Sequence, residues 1–172
     1  MTLEKAKLIK FDGNGSDIQL MFNPTEISFA RTSNWKSDPG NRGDSLLPKV
    51  NFSGVEPYSL TLSNIMFDTY DNRESVLKKY IENIKKSVTA PDGFGGRPPV
   101  YIFQWGSNTY FHCVITKLAY RLTMFLADGT PVRAIVDLSI QEVDAKNLPG
   151  GRKSESGNER KKDTIEARKK KK

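Results

Sequence analysis

Apolar and polar positions alternate most cleanly between Pro131 and Val143. Val132, Ala134, Val136, Leu138 and Ile140 fall on one face of an extended strand, and Arg133, Asp137, Ser139 and Gln141 on the other, with Ile135 the exception. That is the signature of a half-buried antiparallel strand. Two β-rich runs precede it, Val100–Trp105 and Thr109–Arg121, joined by the turn signals Gly106-Ser107-Asn108 and Asp128-Gly129. The run from Thr109 carries apolar groups on both faces: Phe111, Cys113 and Ile115 on one, Tyr110, Val114, Leu118 and Tyr120 on the other. A single-layer sheet cannot bury both faces, so the pattern calls for a cover, supplied either by a helix or second sheet of the same chain or by another subunit.

Upstream, Ala6–Phe11 predicts a first strand, ended by the turn Asp12-Gly13-Asn14-Gly15, with Ile18–Phe22 as its hairpin partner. Asn23-Pro24 breaks that strand. Glu26–Trp35 predicts the next, with Ile27, Phe29 and Trp35 in one phase, and Tyr58–Phe67 a further one. Between them, Lys36–Lys49 is expected to be a loop, because it holds Asp38-Pro39-Gly40, Gly43 and Pro48. One helix is specified over about residues 72–89. Asp71 is placed as its N-cap and Glu74 completes a capping-box pattern. Leu77, Tyr80, Ile81, Ile84 and Val88 form one apolar stripe, read as core packing over the sheet. Strands, one helix, then strands describe a mainly β (α+β) fold: an antiparallel sheet or barrel with a single covering α-helix, not a βαβ repeat.

The 172 residues suit one domain, read here as 1–148, followed by a basic low-complexity tail, 149–172. From Gly151 on, ten Lys/Arg stand against four acids, so six units of the +7 net charge belong to the tail and one to the body. With Ile165 its one sizeable apolar residue, the tail is expected to be disordered. Its closing Lys169, Lys170, Lys171 and Lys172 are candidate tail contacts that could neutralise phosphates, although a solvated tail is the plainer reading. No signal peptide or membrane-length apolar run is seen, which predicts synthesis in the cytoplasm. The single cysteine, Cys113, follows the single histidine, His112, on a strand, so the two point to opposite faces and cannot act as a couple. No catalytic, cofactor-binding or metal motif appears, and no enzyme is expected.

Several segments together resemble a known family. Met21-Phe-Asn-Pro-Thr-Glu-Ile-Ser-Phe29 with Trp35-Lys36, Leu60–Phe67 leading into Asp68-Thr69-Tyr70, Arg97-Pro98-Pro99 into Phe103-Gln104-Trp105-Gly106, and Phe125-Leu-Ala-Asp-Gly-Thr-Pro-Val-Arg133 are similar, in order, to the tube-like adaptor proteins of contractile injection systems. The resemblance covers roughly residues 4–145 and implies a tail-tube-like β-barrel with one helix. It implies a ring of this chain, with a hexamer favoured, between the spike protein and the first inner-tube layer, among the other baseplate proteins of a phage-tail-like particle. Relatives often carry a C-terminal LysM module, and none is seen here. On this reading Arg133, Asp137, Ser139 and Gln141 are the candidate lumen face. Asp38, Asn41, Arg42 and Asp44, with Asp128 and Gly129, are candidate layer-contact loops. The alternative is a nucleic-acid-binding module acting through the Lys-rich tail.

Overall fold

A computed structural model of the chain describes residues 3–38, 47–90 and 96–148. Among these, nine strands follow one another: β1 (Ala6–Asp12), β2 (Ile18–Gln19), β3 (Ser28–Ala30), β4 (Ser33–Asp38), β5 (Lys49–Val55), β6 (Ser59–Asp68), β7 (Val100–Trp105), β8 (Asn108–Phe125) and β9 (Pro131–Glu142). Seven of them form one antiparallel sheet, in the order β2-β1-β7-β8-β9-β6-β3, curled into a half-barrel. The other two, β4 and β5, form a separate two-stranded ribbon. The fold is mainly β with one short helix, as the sequence predicts.

The central pair is β8 and β9. On β9 every even-numbered residue from Val132 to Ile140 is buried. The long β8 explains its own two-faced pattern. Cys113 and Ile115 are buried, and between Ile115 and Lys117 the pairing with β9 slips by one residue. Side chains alternate along a strand, so one extra residue reverses the phase. Leu118, Tyr120 and Leu122 therefore lie opposite Leu138, Val136 and Ala134, on the same face as Ile115. Leu118 and Leu122 pack against this chain's own core. Of the cover left open by the sequence pattern, these residues take the intramolecular kind.

The strand β6 has a matching irregularity. Leu62 pairs with Leu138 and Ile65 with Val136, leaving Ser63 and Asn64 opposite Asp137 alone. Asn64 takes a positive φ of 55°, which Asn tolerates better than most residues. The bulge keeps Leu60, Leu62, Ile65 and Phe67 all buried despite the odd spacing.

The helix starts later than its sequence predicts. It consists of a π-helical turn, Leu77–Ile81, running into α1 (Glu82–Lys86), instead of spanning residues 72–89 from a cap at Asp71. The reason lies in the turn that precedes it. Tyr70 N–H donates to Asp68 Oδ1 (2.8 Å), Arg73 N–H to the Tyr70 carbonyl (3.1 Å), and Arg73 sits at φ 52°. That left-handed turn cannot belong to a helix. The Thr69 hydroxyl donates to the Glu74 carbonyl (2.6 Å), while the Glu74 carboxylate pairs with Lys79 (2.5 Å) in place of a capping box. The expected stripe does face the sheet: Ile81 and Ile84 are buried, with Leu77, Tyr80 and Val88 packed against the core and the Tyr80 ring 5.1 Å from that of Phe67.

Two N-terminal expectations change. The stretch expected as one strand, Glu26–Trp35, is divided between two sheets: β3 pairs with β6 (Phe29 opposite Leu60), and β4 leaves the body to pair with β5. The stretch expected as a loop, Lys36–Lys49, begins and ends as strand, so Asp38 lies in β4 opposite Lys49. Residues 39–46 lie outside the described part.

Candidate assembly surfaces

Because the even-numbered residues of β9 are buried, Arg133, Asp137, Ser139 and Gln141 share the sheet face directed away from the core. Arg133 is not free in solution. Its guanidinium holds Asp68 through Nε (2.6 Å) and Nη2 (2.5 Å). The Tyr70 N–H, with Arg133 beside it, keeps the Asp68 carboxyl below the usual carboxylate range. Asp137 accepts from the backbone N–H of Asn64 (2.7 Å), whose side-chain oxygen accepts from Arg121 (2.8 Å). Arg121 in turn stands 4.0 Å from Asp137. The β6 bulge thus ties three strands together on this face. Ser139 is half-buried, its carbonyl accepting from the Thr116 hydroxyl (3.1 Å), and Gln141 is exposed between Ser59 and Val114. All four predicted residues therefore share one sheet face with the half-buried Ile135, in two ion-paired groups and an uncharged end.

The second surface was not read from the sequence. In the ribbon of β4 and β5, every described side chain except that of Gly54's position is exposed. Trp35 lies opposite Phe52 and Ser37 opposite Val50, so these share a face; Lys36 and Asn51, and Asp38 and Lys49, share the other. One face of this arm is apolar, with Trp35 60% exposed, Phe52 57% and Val50 54%, and the Trp35 and Phe52 rings 5.2 Å apart. The alternation Val50-Asn51-Phe52-Ser53 is the signal that would have found it.

At the arm's root, Glu56 N–H donates to the Thr32 carbonyl (2.8 Å) and Arg31 Nε to the Glu56 carbonyl (3.0 Å). Arg31 lies over the Tyr58 ring (4.6 Å), and Phe29 stacks on Tyr110 at 5.5 Å. This contact brings the edge strand β3 against β8 where the half-barrel curls. Beside it is an open recess lined by Val55, Glu56, Tyr110, Phe111, Glu142 and Asp144.

Asp128 and Gly129 form the expected turn. Gly129 has φ 83°, and Thr130 N–H donates to Asp128 Oδ1 (2.9 Å), which lowers the Asp128 carboxyl pKa. Asn41, Arg42 and Asp44, and Lys169 to Lys172, lie outside the described residues. His112 packs edge-on against Phe11 (4.5 Å), while Cys113 is buried on the opposite face, its thiol pushed up to about 12 by burial. No group of three or more His, Cys, Asp or Glu able to hold a metal occurs among the described residues. No helix among them is long and apolar enough to cross a membrane. A family model described as contractile injection system tube protein matches residues 1–149. No curated protein matches the chain.

Proposed function

The chain belongs to the contractile injection system tube protein family, and on that premise we propose that it is the adaptor ring of the baseplate hub, joining the central spike to the first layer of the inner tube. Membership makes it a structural protein that assembles with other components of such a system. The finer placement is our reading, and it is carried by one observation: the apolar face of the β4–β5 arm, with Trp35, Val50 and Phe52, stands uncovered. A two-stranded ribbon is marginal alone in water, and contiguous exposed apolar surface marks an interaction site. Such an arm suits a protein whose neighbours complete it.

In this reading a ring of copies, hexameric by preference, presents the Arg133, Asp137, Ser139 and Gln141 face to the lumen. The Asp128-Gly129 turn and the candidate contact residues Asp38, Asn41, Arg42 and Asp44 meet the layers above and below. A polar lumen lets cargo pass without adhering. No catalysis is involved; function rests on matching shapes.

The test is the mass, by light scattering after size exclusion, of the full chain co-expressed with the spike and tube proteins of its own system. A stoichiometric complex holding a ring of this chain is expected. A monomer that ignores both proteins would end the adaptor reading. The lumen assignment is tested separately by adding charge with Ser139→Asp and Gln141→Glu, which leaves the Arg133–Asp68 pair intact. Assembly is expected to persist while passage of acidic cargo falls; unchanged passage would remove the lumen assignment.

A further inference from the structure

We propose that the open recess beside β8 and the end of β9 is the docking site for this chain's own basic segment beyond Leu148, led by Arg152 and Lys153. Tyr110, Phe111 and Val143 give the recess apolar surface, and Glu56, Glu142 and Asp144 line it with charge. Among the described residues none of these three carboxylates is in an ion pair, whereas Asp12, Asp68, Glu74 and Asp137 each are. Neutral donors hold them instead. The Tyr58 N–H donates to Glu142 (3.0 Å), the Asn34 side-chain amide to Glu56 (3.3 Å), and the Lys146 N–H (2.9 Å) and Asn147 side-chain amide (2.7 Å) to Asp144.

Two cations line the same recess, Arg31 and Lys146. Arg31 is turned to neutral partners, the Tyr58 ring (4.6 Å) and the Glu56 carbonyl (3.0 Å). Carboxylates thus outnumber cations here three to two. The segment that follows has the opposite sign: from Gly151 on, ten Lys/Arg stand against four acids. Its point of departure is also right. Asp144, Ala145 and Lys146 themselves line the recess, and the described chain ends just after them, at Leu148. Arg152 follows four residues later, within about 14 Å of extended chain. Between them, Pro149-Gly150-Gly151 is turn chemistry, suited to reversing the chain. The long stems of Arg152 and Lys153 can then lie on Tyr110 and Phe111 while their charged heads reach the carboxylates.

Solvent-facing ion pairs are weak one by one, and the tether offsets that weakness. A segment joined this closely has an effective concentration on the order of 1 mM. An intrinsic dissociation constant of about 1 mM therefore already fills the recess half of the time. A basic segment of another molecule has no such advantage until its own concentration is comparable, which favours this chain's segment as the occupant. Because the pairs face solvent, the melting temperature of the body is not expected to move, and the contact is read locally. The inference stands apart from the adaptor reading and needs no ring.

The experiment uses the full chain. Val55 lines the recess and is exposed, so Val55→Cys together with Ser154→Cys is expected to close a disulfide within one molecule under mild oxidation, with Cys113 buried out of reach. Adding Arg152→Glu and Lys153→Glu is expected to slow that closure several-fold, as is salt of about 1 M, which screens exposed charges. Glu142→Gln with Asp144→Asn should slow it likewise. These amides keep the oxygens that accept from the Tyr58 and Lys146 N–H groups, and an unchanged melting temperature checks that the body is intact. By NMR, the amide signals of Tyr110, Phe111 and Val143 are expected to differ between the wild type and the Arg152→Glu, Lys153→Glu chain. Closure at one rate in every background and at every salt concentration would reduce the contact to chance collision of a tethered segment and overturn the inference. Recess signals that do not differ would overturn it as well. Disulfides that join two molecules instead of closing within one would overturn the choice of this chain's own segment. None of these outcomes bears on the adaptor reading, which its own complex decides.

Discussion

Tyr101 is fully buried, yet its hydroxyl has no hydrogen-bond partner among the described groups. A buried polar group left unpaired carries its desolvation penalty. Tyr101→Phe is therefore expected to leave stability unchanged or raise it by about 1 kcal/mol, read as the melting temperature. Gly15 lies against the same hydroxyl: a Cβ there would sit 2.8 Å from Tyr101 Oη and 3.0 Å from Pro99 Cγ. Gly15→Ala should then cost roughly 1–3 kcal/mol by overpacking, and less in the Tyr101→Phe background. Burial also pushes the Tyr101 phenol up to about 12. Its unfolded value is about 10, so unfolding releases a proton between those limits and stability falls as pH rises through them. Tyr101→Phe should flatten that alkaline loss. Asp68 shifts the other way. Its folded pKa is lowered first by the Tyr70 N–H and then by Arg133, so its contribution is present above about pH 4 and lost as pH falls through the folded value. Arg133→Ala should raise the Asp68 pKa only part of the way to normal, because the Tyr70 N–H remains; a carboxyl titration by NMR checks this, and full normalisation would contradict the assignment.

At the scale of elements, the β8 bulge decides which residues enter the core. Deleting Thr116 removes the extra residue and would turn Leu118, Tyr120 and Leu122 outward, with Lys117 and Ala119 inward. The deletion is expected to abolish folding, seen as loss of soluble protein or of a cooperative melt. Thr116→Ala keeps the residue count and loses only the hydroxyl's bond to the Ser139 carbonyl; it should cost no more than about 1 kcal/mol. Similar melts for the two variants would mean that the bulge does not set the phase. The helix shows the same priority of tertiary over local signals. Its stripe of Ile81 and Ile84 was legible, because helical spacing of apolar residues survives any choice of first turn. Its start was not, because the Thr69, Asp68 and Arg73 turn that displaces the cap is anchored through Thr69 N–H on the Val132 carbonyl of a distant strand (2.8 Å).

For the whole molecule, the charge distribution separates body from tail. Six of the +7 charges follow Gly150 in a stretch with almost no apolar residues. If the body alone carries assembly, a chain ended after Leu148 should melt at the wild-type temperature and still join spike and tube proteins. The competing use of the tail, in nucleic-acid binding, predicts an affinity that falls steeply with salt and disappears on the same truncation. Retained assembly with no nucleic-acid affinity in either form would leave the tail without that role, and lost assembly would place a required contact beyond residue 148.

Much of this protein could be read from alternation alone. The even-numbered core of β9, the turn at Asp128-Gly129, the shared face of Arg133, Asp137, Ser139 and Gln141, and the covering stripe of Ile81 and Ile84 all follow from local periodicity, which is fixed by the geometry of strand and helix. What periodicity could not supply is pairing between distant segments. The division of Glu26–Trp35 into β3 and β4 depends on β3 finding β6, and on Glu56 closing the root of the arm at Thr32. The one-residue slip in β8 is visible only against β9. The exposure of Trp35 and Phe52 depends on the ribbon leaving the body, which no local pattern shows. Local periodicity sets which side chains share a face, and only the three-dimensional arrangement of strands decides whether that face is buried or left for a partner.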